Sequence, residues 1–137
     1  MANIEGGCLC GAVRYRAEGE PAMQVICHCK TCQKNSGSAY SLNVAVPEEA
    51  FTAEGDSKNV YEDHSGASGK PFYRTYCGKC GSHVFSNGPA YGAMVFIKAG
   101  TLDESGWLQP DTHIWCDEKL PYVQIPAEAK QFPRGPA

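Results

Sequence analysis

Two cysteines stand among glycines in the stretch Gly6-Gly7-Cys8-Leu9-Cys10-Gly11. Sulfur atoms that share one tetrahedral zinc ion lie roughly 3.8 Å apart, whereas residues i and i+2 of a straight strand are about 7 Å apart. The chain must therefore bend at this pair if both thiols are to bind one ion. Glycine permits such a bend because it adopts positive φ without steric cost. We interpret the stretch as half of a metal site.

A second thiol pair lies in Cys77-Gly78-Lys79-Cys80-Gly81, again with glycine beside the cysteines. The pair follows one predicted strand and precedes another, which is the setting of a zinc ribbon. A thioredoxin-like redox pair instead needs its first cysteine at a helix N-terminus, where the pKa of the thiol is lowered. The strand pattern of Ser82-His83-Val84-Phe85 argues against that setting, so we interpret the pair as metal ligands.

The third cluster, Cys27-His28-Cys29-Lys30-Thr31-Cys32, holds three thiols. All three can reach one ion because residues 23–27 are predicted to be extended and residues 30–33 to turn. The clustered thiols thus divide into one closed four-thiolate site and one three-thiolate site. Two interpretations of the second site remain open. Either Cys116 or a histidine completes a structural site, or the fourth position takes water or substrate.

Composition limits the class of protein. The 137 residues, 42% of them hydrophobic, suffice for one domain, predicted over residues 1–137. The net charge of −3 and the scattered basic residues argue against nucleic acid as a partner. No apolar run approaches the roughly 20 residues that span a bilayer, and the first residues do not resemble a signal peptide. We therefore expect a cytoplasmic protein whose thiols bind metal rather than form disulfides.

Hydrophobic alternation predicts a mainly β domain with little helix. A short helix is predicted over 30–36, ending at Gly37, with a weaker helical turn over 47–50. Residues 126–137, which contain three prolines, are predicted to form an extended tail. Strands 51–53 and 60–62 are predicted to form a hairpin around Gly55-Asp56. The other predicted strands are 13–17, 40–46, 72–76, 83–85, 93–97, 112–115 and 122–125.

Two of the four histidines are candidate proton donors. His28 lies between two cysteines, so its side chain should point away from the ion that they share, either into a pocket or onto the surface. His113 precedes an apolar pair and is either a pocket acid or a core histidine. His64 and His83 receive no role.

The ordered set of motifs resembles a known family over nearly the whole chain. Its parts are Gly7-Cys8-Leu9-Cys10-Gly11-Ala12-Val13-Arg14-Tyr15, Cys27-His28-Cys29-x-x-Cys32 with Ser36-Gly37-Ser38 after it, Cys77-Gly78-x-Cys80-Gly81, and His113 with Lys119. This arrangement is similar to the glutathione-dependent formaldehyde-activating enzyme family, also called the centromere protein V family. Gln33 departs from the pattern, because members often carry arginine there, and Cys116 is a thiol that the pattern does not include.

The resemblance implies a fold of twisted antiparallel β-sheets organised around zinc, the β-tent, with two zinc ions per chain. It implies a structural zinc on Cys8, Cys10, Cys77 and Cys80, and a second, open zinc on Cys27, Cys29 and Cys32. The implied activity is that of a carbon–sulfur lyase, the synthesis of S-(hydroxymethyl)glutathione.

From these expectations we derive a hypothetical mechanism. A small thiol held as thiolate at the second zinc adds to an aldehyde, and His28 or His113 protonates the new oxygen. Because glutathione carries two carboxylates, we expect cations near the site, with Lys30 and Lys34 as first candidates and Arg74 or Lys119 as others.

Two alternatives stay open. One is a non-catalytic zinc module that binds a protein or nucleic acid. The other is a related enzyme that acts on a different thiol or sulfur compound with the same metal arrangement.

Overall fold

The computed structural model describes residues 4–135, and within this range the chain is mainly β-strand with one short α-helix and several 3-10 turns. The helix, α1, covers Lys30–Ser36. The strands are β1 (Ile4–Gly7), β2 (Arg14–Ala17), β3 (Met23–Cys27), β4 (Ser41–Pro47), β5 (Phe51–Glu54), β6 (Lys58–Asp63), β7 (Phe72–Cys77), β8 (His83–Asn87), β9 (Met94–Lys98), β10 (Thr112–Ile114) and β11 (Lys130–Gln131).

These strands form two sheets. The small sheet has the order β1-β2-β5, and the large sheet has the order β11-β10-β3-β4-β9-β8-β7-β6. All neighbours are antiparallel except β10, which runs parallel to both β3 and β11. The predicted mainly β fold of antiparallel sheets with little helix is therefore confirmed. No described helix is long and apolar enough to cross a membrane.

The hydrophobic core lies between the two sheets. Ile4 and Tyr15 of the small sheet join Val44 and Ile97 of the large sheet in one buried cluster. Phe51 links the sheets, since its ring stacks on Tyr15 with centroids 5.7 Å apart and meets another aromatic ring of β8 edge-on at 4.8 Å. Because side chains alternate along a strand, the opposite face of the large sheet is left for a site.

Helix α1 begins and ends where the sequence predicts. The thiol of Cys29 caps its start by accepting a hydrogen bond from the Cys32 backbone N–H at 3.2 Å. Gly37 ends it in the left-handed conformation, with φ 64°, and its N–H donates to the Gln33 carbonyl. Glycine is the residue that most often adopts the left-handed conformation just after a helix. This explains why the end of so short a helix can be predicted from the sequence.

The hairpin predicted around Gly55-Asp56 is wrong. Strand β5 pairs with β2 in the small sheet, whereas β6 pairs with β7 at the edge of the large one. Gly55, with φ 136°, passes so close to Ala12 that a Cβ would lie 2.2 Å from its carbonyl oxygen. Gly55 thus allows the chain to cross from the small sheet to the large one. The Gly-Asp pair predicts a turn, but it does not distinguish such a crossing from a hairpin.

The strand predicted over 122–125 is also wrong, since these residues form a turn and irregular chain. Pro121 and Pro126 flank the segment and limit pairing at its ends, and none of its four residues is fully buried. Further on, β11 pairs with β10, and the Phe132 N–H donates to the His113 carbonyl. Residues 136–137 of the predicted tail lie outside the described residues.

Candidate metal centres and catalytic cavity

Four thiols meet where the ends of the two sheets come together. Cys8 and Cys10 follow β1, and Cys77 and Cys80 flank the turn between β7 and β8. Their sulfur atoms all lie within 4.8 Å of one another, with 3.7 Å between Cys8 and Cys10 and 3.8 Å between Cys10 and Cys77. These two distances match the edge of a zinc–thiolate tetrahedron, roughly 3.8 Å. The set is arranged to hold one metal ion.

The backbone around this cluster supports thiolates. The Val13 N–H donates to Cys8 Sγ at 3.2 Å, and the Lys79 N–H donates to Cys77 Sγ at 3.3 Å. Gly11 and Gly81 adopt φ values of 83° and 80°, which produces the bends expected beside the thiol pairs. Hydrogen bonds to sulfur favour its charged form, so the local fold suits a metal-bound thiolate rather than a disulfide.

The remaining clustered thiols form a second group. Cys27 ends β3, Cys29 caps α1 and Cys32 lies in the first helical turn, and their sulfur atoms lie within 4.8 Å of one another. Among the described residues, no fourth cysteine, histidine or carboxylate joins the group. Cys116 lies outside it, with its thiol 3.6 Å from the His113 carbonyl. The interpretation in which a protein side chain seals this site finds no support in the geometry.

The proton balance of this triplet also suits a cation. Thiol contacts from Cys29 and Cys32, together with burial, raise the pKa of Cys27. Contacts from Cys27 and Cys29 lower the pKa of Cys32 to about 2. Three adjacent thiolates repel one another. Without a cation, the group of three sulfurs therefore keeps some of its protons. A metal ion is what allows all three to be charged.

The triplet opens into a cavity of about 440 Å³, and the four-thiol cluster does not line it. The cavity lies against the face of the large sheet that is turned away from the core. This volume falls in the range typical of small-molecule sites, about 300–1,000 Å³. Aromatic walls come from Phe72, Tyr91, Phe96 and Trp115, and charged side chains from Asp63, Lys70, Arg74, Lys98, Glu118 and Arg134.

A buried ion pair lies in the wall of this cavity. The Arg74 Nε donates to Asp63 Oδ2 at 2.9 Å, and both side chains are buried. Burial raises the pKa of Asp63, but hydrogen bonds from Ser65 and from Arg74 outweigh it and hold that pKa below its ordinary value. The guanidinium also lies over the Phe72 ring, 4.8 Å from its centroid. The pair therefore fixes the Arg74 side chain in place.

Replacement of Asp63 by alanine is expected to lower the free energy of unfolding by about 3–5 kcal/mol, because Arg74 would stay buried without its counter-charge. Urea unfolding measures the change. Glu62→Ala is the control, since that carboxylate is exposed and contacts the exposed His64, and we expect little change there. Adding Arg74→Met to Asp63→Ala should restore part of the loss. A double variant as unstable as the single one would contradict this account.

The two histidines predicted as proton donors lie together. His28 Nε2 and His113 Nδ1 are 2.9 Å apart, and their rings stack with centroids at 5.2 Å. His28 is 0% exposed, and burial lowers the pKa of both rings. Neither ring lines the cavity. Their assignment as acids stays a prediction, and their geometry suits support of the neighbouring triplet better than direct contact with substrate.

Gln33, the departure from the family pattern, is a structural residue in this chain. Its side-chain N–H groups donate to the His28 carbonyl at 2.9 Å and to the Glu118 carbonyl at 3.0 Å. It thereby connects α1 to both the triplet segment and the chain after β10. The position is buried, so an amide with two donors fits it without the cost of a buried charge.

The lysines predicted to bind carboxylates are not in the cavity wall. Lys30 and Lys34 are exposed on α1, and the Lys30 ammonium donates to Gln33 Oε1. Lys119 does not line the cavity either, whereas Arg74 does. Sequence reasoning missed Lys98, the last residue of β9. The sequence feature that could have identified it is a lysine at the end of an otherwise apolar strand. Alternation places that position on the face of the sheet turned away from the core.

Comparison with known proteins identifies the family. The model of the family described as "Glutathione-dependent formaldehyde-activating enzyme" matches residues 3–118. A Halomonas elongata protein named "Putative glutathione-dependent formaldehyde-activating enzyme" is 26% identical over 126 residues, which cover 89% of this chain and 80% of that protein. A Penicillium rubens protein of the same name is 26% identical, over 75% of this chain and 54% of its own length. An uncharacterized lyase of Schizosaccharomyces pombe is 27% identical, over 62% of this chain and 58% of its own.

Among solved structures, a crystal structure of a Rhodobacter sphaeroides protein shares the fold with a TM-score of 0.57 at 16% identity, over 78% of this chain and 92% of that one. The chain spans little more than half the length of the two fungal relatives. The match of the family model extends over most of the chain and includes all seven clustered cysteines. The chain therefore belongs to the glutathione-dependent formaldehyde-activating enzyme family.

Proposed function

We propose that the protein is a zinc-dependent carbon–sulfur lyase-type enzyme that adds a small thiol, glutathione or a similar one, to formaldehyde or a related aldehyde. The observation that carries the proposal is the difference between the two thiol groups. The four-thiol cluster is complete and lies away from the cavity, whereas the triplet lines the cavity and has no fourth ligand among the described residues.

The same difference supports the proposal of two zinc ions per chain. The cluster of Cys8, Cys10, Cys77 and Cys80 would hold a structural ion, and Cys27, Cys29 and Cys32 a second one. Zinc bound at the triplet would keep an incoming thiol in its thiolate form. The relatives named for glutathione and formaldehyde, and the one named as a lyase, support this direction of chemistry.

The chain's own residues would orient and protonate the reactants. In the addition step a bond forms between the thiol sulfur and the aldehyde carbon, and the carbonyl oxygen gains charge and takes a proton. Tyr91 lines the cavity, and burial, followed by the charge of the triplet cysteines, raises the pKa of its hydroxyl. A tyrosine hydroxyl is protonated at neutral pH even at its ordinary pKa, so Tyr91 Oη would have a proton to donate to that oxygen. His28 and His113, whose assignment as proton donors stays a prediction, would also position the triplet segment.

Formaldehyde consumption in the presence of glutathione tests the proposal. We expect the zinc-loaded protein to consume formaldehyde faster than the uncatalysed reaction, and we expect chelator-treated protein, verified as folded by circular dichroism, to lose the excess rate. Binding to duplex DNA at low and moderate salt is the companion measurement. Tight, salt-sensitive DNA binding together with no rate above background would favour the non-catalytic module and contradict the enzyme.

A further inference from the structure

The cavity floor carries a row of polar side chains on neighbouring strands of the large sheet. Arg74 on β7 stands opposite Ser86 on β8, and Ser86 stands opposite Phe96 on β9. Lys98 is two residues beyond Phe96 on the same face, and its register partner on β4 is Asn43. All five residues line the cavity. Diagonal neighbours of this kind are about 7–8 Å apart, a span that one bound group can bridge.

Two members of this row have unused hydrogen-bonding capacity. The Ser86 hydroxyl is buried, with the residue 1% exposed, and has no hydrogen-bond partner among the described residues. The Lys98 ammonium donates to Asn43 Oδ1 at 2.9 Å and forms no ion pair within residues 4–135. A buried serine hydroxyl without a partner and a half-buried ammonium without an anion both carry a desolvation cost that a ligand can remove.

Charge indicates what that ligand is. Arg74 is already matched by Asp63, and the Glu118 carboxylate accepts a hydrogen bond from the Lys30 backbone N–H. Lys98 therefore supplies positive charge on the floor without a carboxylate partner. An ionised carboxylate has two acceptor oxygens and no donor, so it can accept from an ammonium and a hydroxyl at once. A neutral group would leave the ammonium unpaired.

We propose that Ser86 and Lys98, flanked by Arg74, form a subsite for the carboxylate of the thiol substrate, which makes that substrate a compact thiol acid. The inference rests on the proposed function, because the sulfur must lie at the triplet for the carboxylate to reach the floor. Through Asn43 of β4, Lys98 is in register with Val25 of β3, two residues before Cys27 of the triplet, and both Lys98 and the triplet line the same cavity. A short chain between sulfur and carboxylate fits that proximity.

The matched ligands are 3-mercaptopropionate and 3-mercaptopropionamide, which differ in charge and little in shape. Binding to the zinc-loaded protein is measured by calorimetry and by the fluorescence of Trp115, which lines the cavity. We expect the acid to bind at least about tenfold more tightly than the amide, Ser86→Ala to weaken the acid about tenfold, and Lys98→Met to remove the preference. Ser105→Ala and Lys58→Met, both exposed and outside the cavity wall, should change nothing.

Glyoxylate, compared with glycolaldehyde, tests whether the carboxylate belongs to the carbonyl reactant instead. If Ser86→Ala and Lys98→Met weaken the binding of glyoxylate and not that of 3-mercaptopropionate, the assignment of the carboxylate to the thiol substrate is overturned. Equal binding of acid and amide overturns it too, as does a Lys98→Met protein that has lost a zinc ion, since Lys98 would then serve the thiolates. The binding measurements need no turnover. A clear preference for the acid without formaldehyde consumption would therefore refute the proposed reaction and leave the subsite standing.

Discussion

Replacement of Cys10 by serine is expected to leave the protein unfolded or loosely packed at 25 °C, with about half of its zinc lost. A structural zinc ion contributes about 10–16 kcal/mol in zinc-finger peptides, which is comparable to the whole stability of an ordinary domain, about 5–15 kcal/mol. Cys10 is the informative position because its side chain is exposed. Serine there removes a metal ligand with little loss of packing, so the effect can be attributed to the metal site.

The position of the cluster explains why the expected effect is so large. The small sheet has only three strands of four residues each, shorter than the usual strand of about five to six residues and close to the smallest sheet that is stable alone. The cluster ties the turn after β1 to the turn between β7 and β8, so it joins the small sheet to the large one. Without it, the small sheet is held by the core, by the hydrogen bond between Tyr15 and Thr101 and by the exposed ion pair of Arg14 and Asp103.

Circular dichroism during heating and urea titration, with metal analysis of the same samples, measures the effect. Cys116→Ser is the matched control, since this partly buried thiol belongs to neither metal cluster among the described residues. We expect the control to keep two zinc ions and to unfold close to wild type. A Cys10→Ser protein that does the same would show that the four thiols do not carry the fold.

The two thiol groups that could hold metal ions were predictable from the sequence because ligand chemistry leaves a local signature. Short spacings between cysteines, with glycine beside them, need no knowledge of the tertiary fold, and Gly11 and Gly81 have the conformations that this argument required. Helix α1 was visible for the same reason, since Gly37 marks its end. Alternation located most of the strands, because strands such as β2, β8 and β9 alternate between buried and more exposed residues.

The sequence did not predict which strands pair with one another. Residues 51–53 were predicted as the first arm of a hairpin, but Phe51 packs between Tyr15 and Phe85, and that contact favours the pairing with β2. The residues that line the cavity could not be predicted from the sequence for a related reason. Ser86 and Lys98 lie in strands whose neighbours are set by register, so their meeting on one face follows from topology and not from local spacing.

The histidines show a third limit of the sequence. His28 lies between two predicted ligands, and adjacency to ligands suggested a catalytic role. In the structure that adjacency turns its ring away from the cavity, and it stacks on His113. A residue next to ligands on an extended chain alternates to the other side, so neighbours of ligands more often support a site than face its substrate.

Replacement of Cys29 by serine is expected to abolish activity and leave the fold intact, the reverse of the effect at Cys10. Serine suits this position because Cys29 caps α1 through its side chain, and serine is a preferred N-cap residue. The helix should therefore persist while the triplet loses one sulfur ligand. We expect one zinc ion per chain, a melting curve close to wild type, and a fall in kcat/KM of about 1,000-fold or more, which corresponds to about 4 kcal/mol of transition-state stabilisation.

Thiol-dependent formaldehyde consumption and metal analysis on one preparation measure both parts of this expectation. Ser36→Ala, in the last turn of the same helix, is the control, because its hydroxyl donates to the Cys32 carbonyl and touches no thiol. A Cys29→Ser protein that keeps two zinc ions and full activity would show that the triplet is not the reactive site. One that loses both activity and fold would show that the triplet is a second structural centre. Only loss of activity with retention of the fold assigns the chemistry to the three thiols that face the cavity.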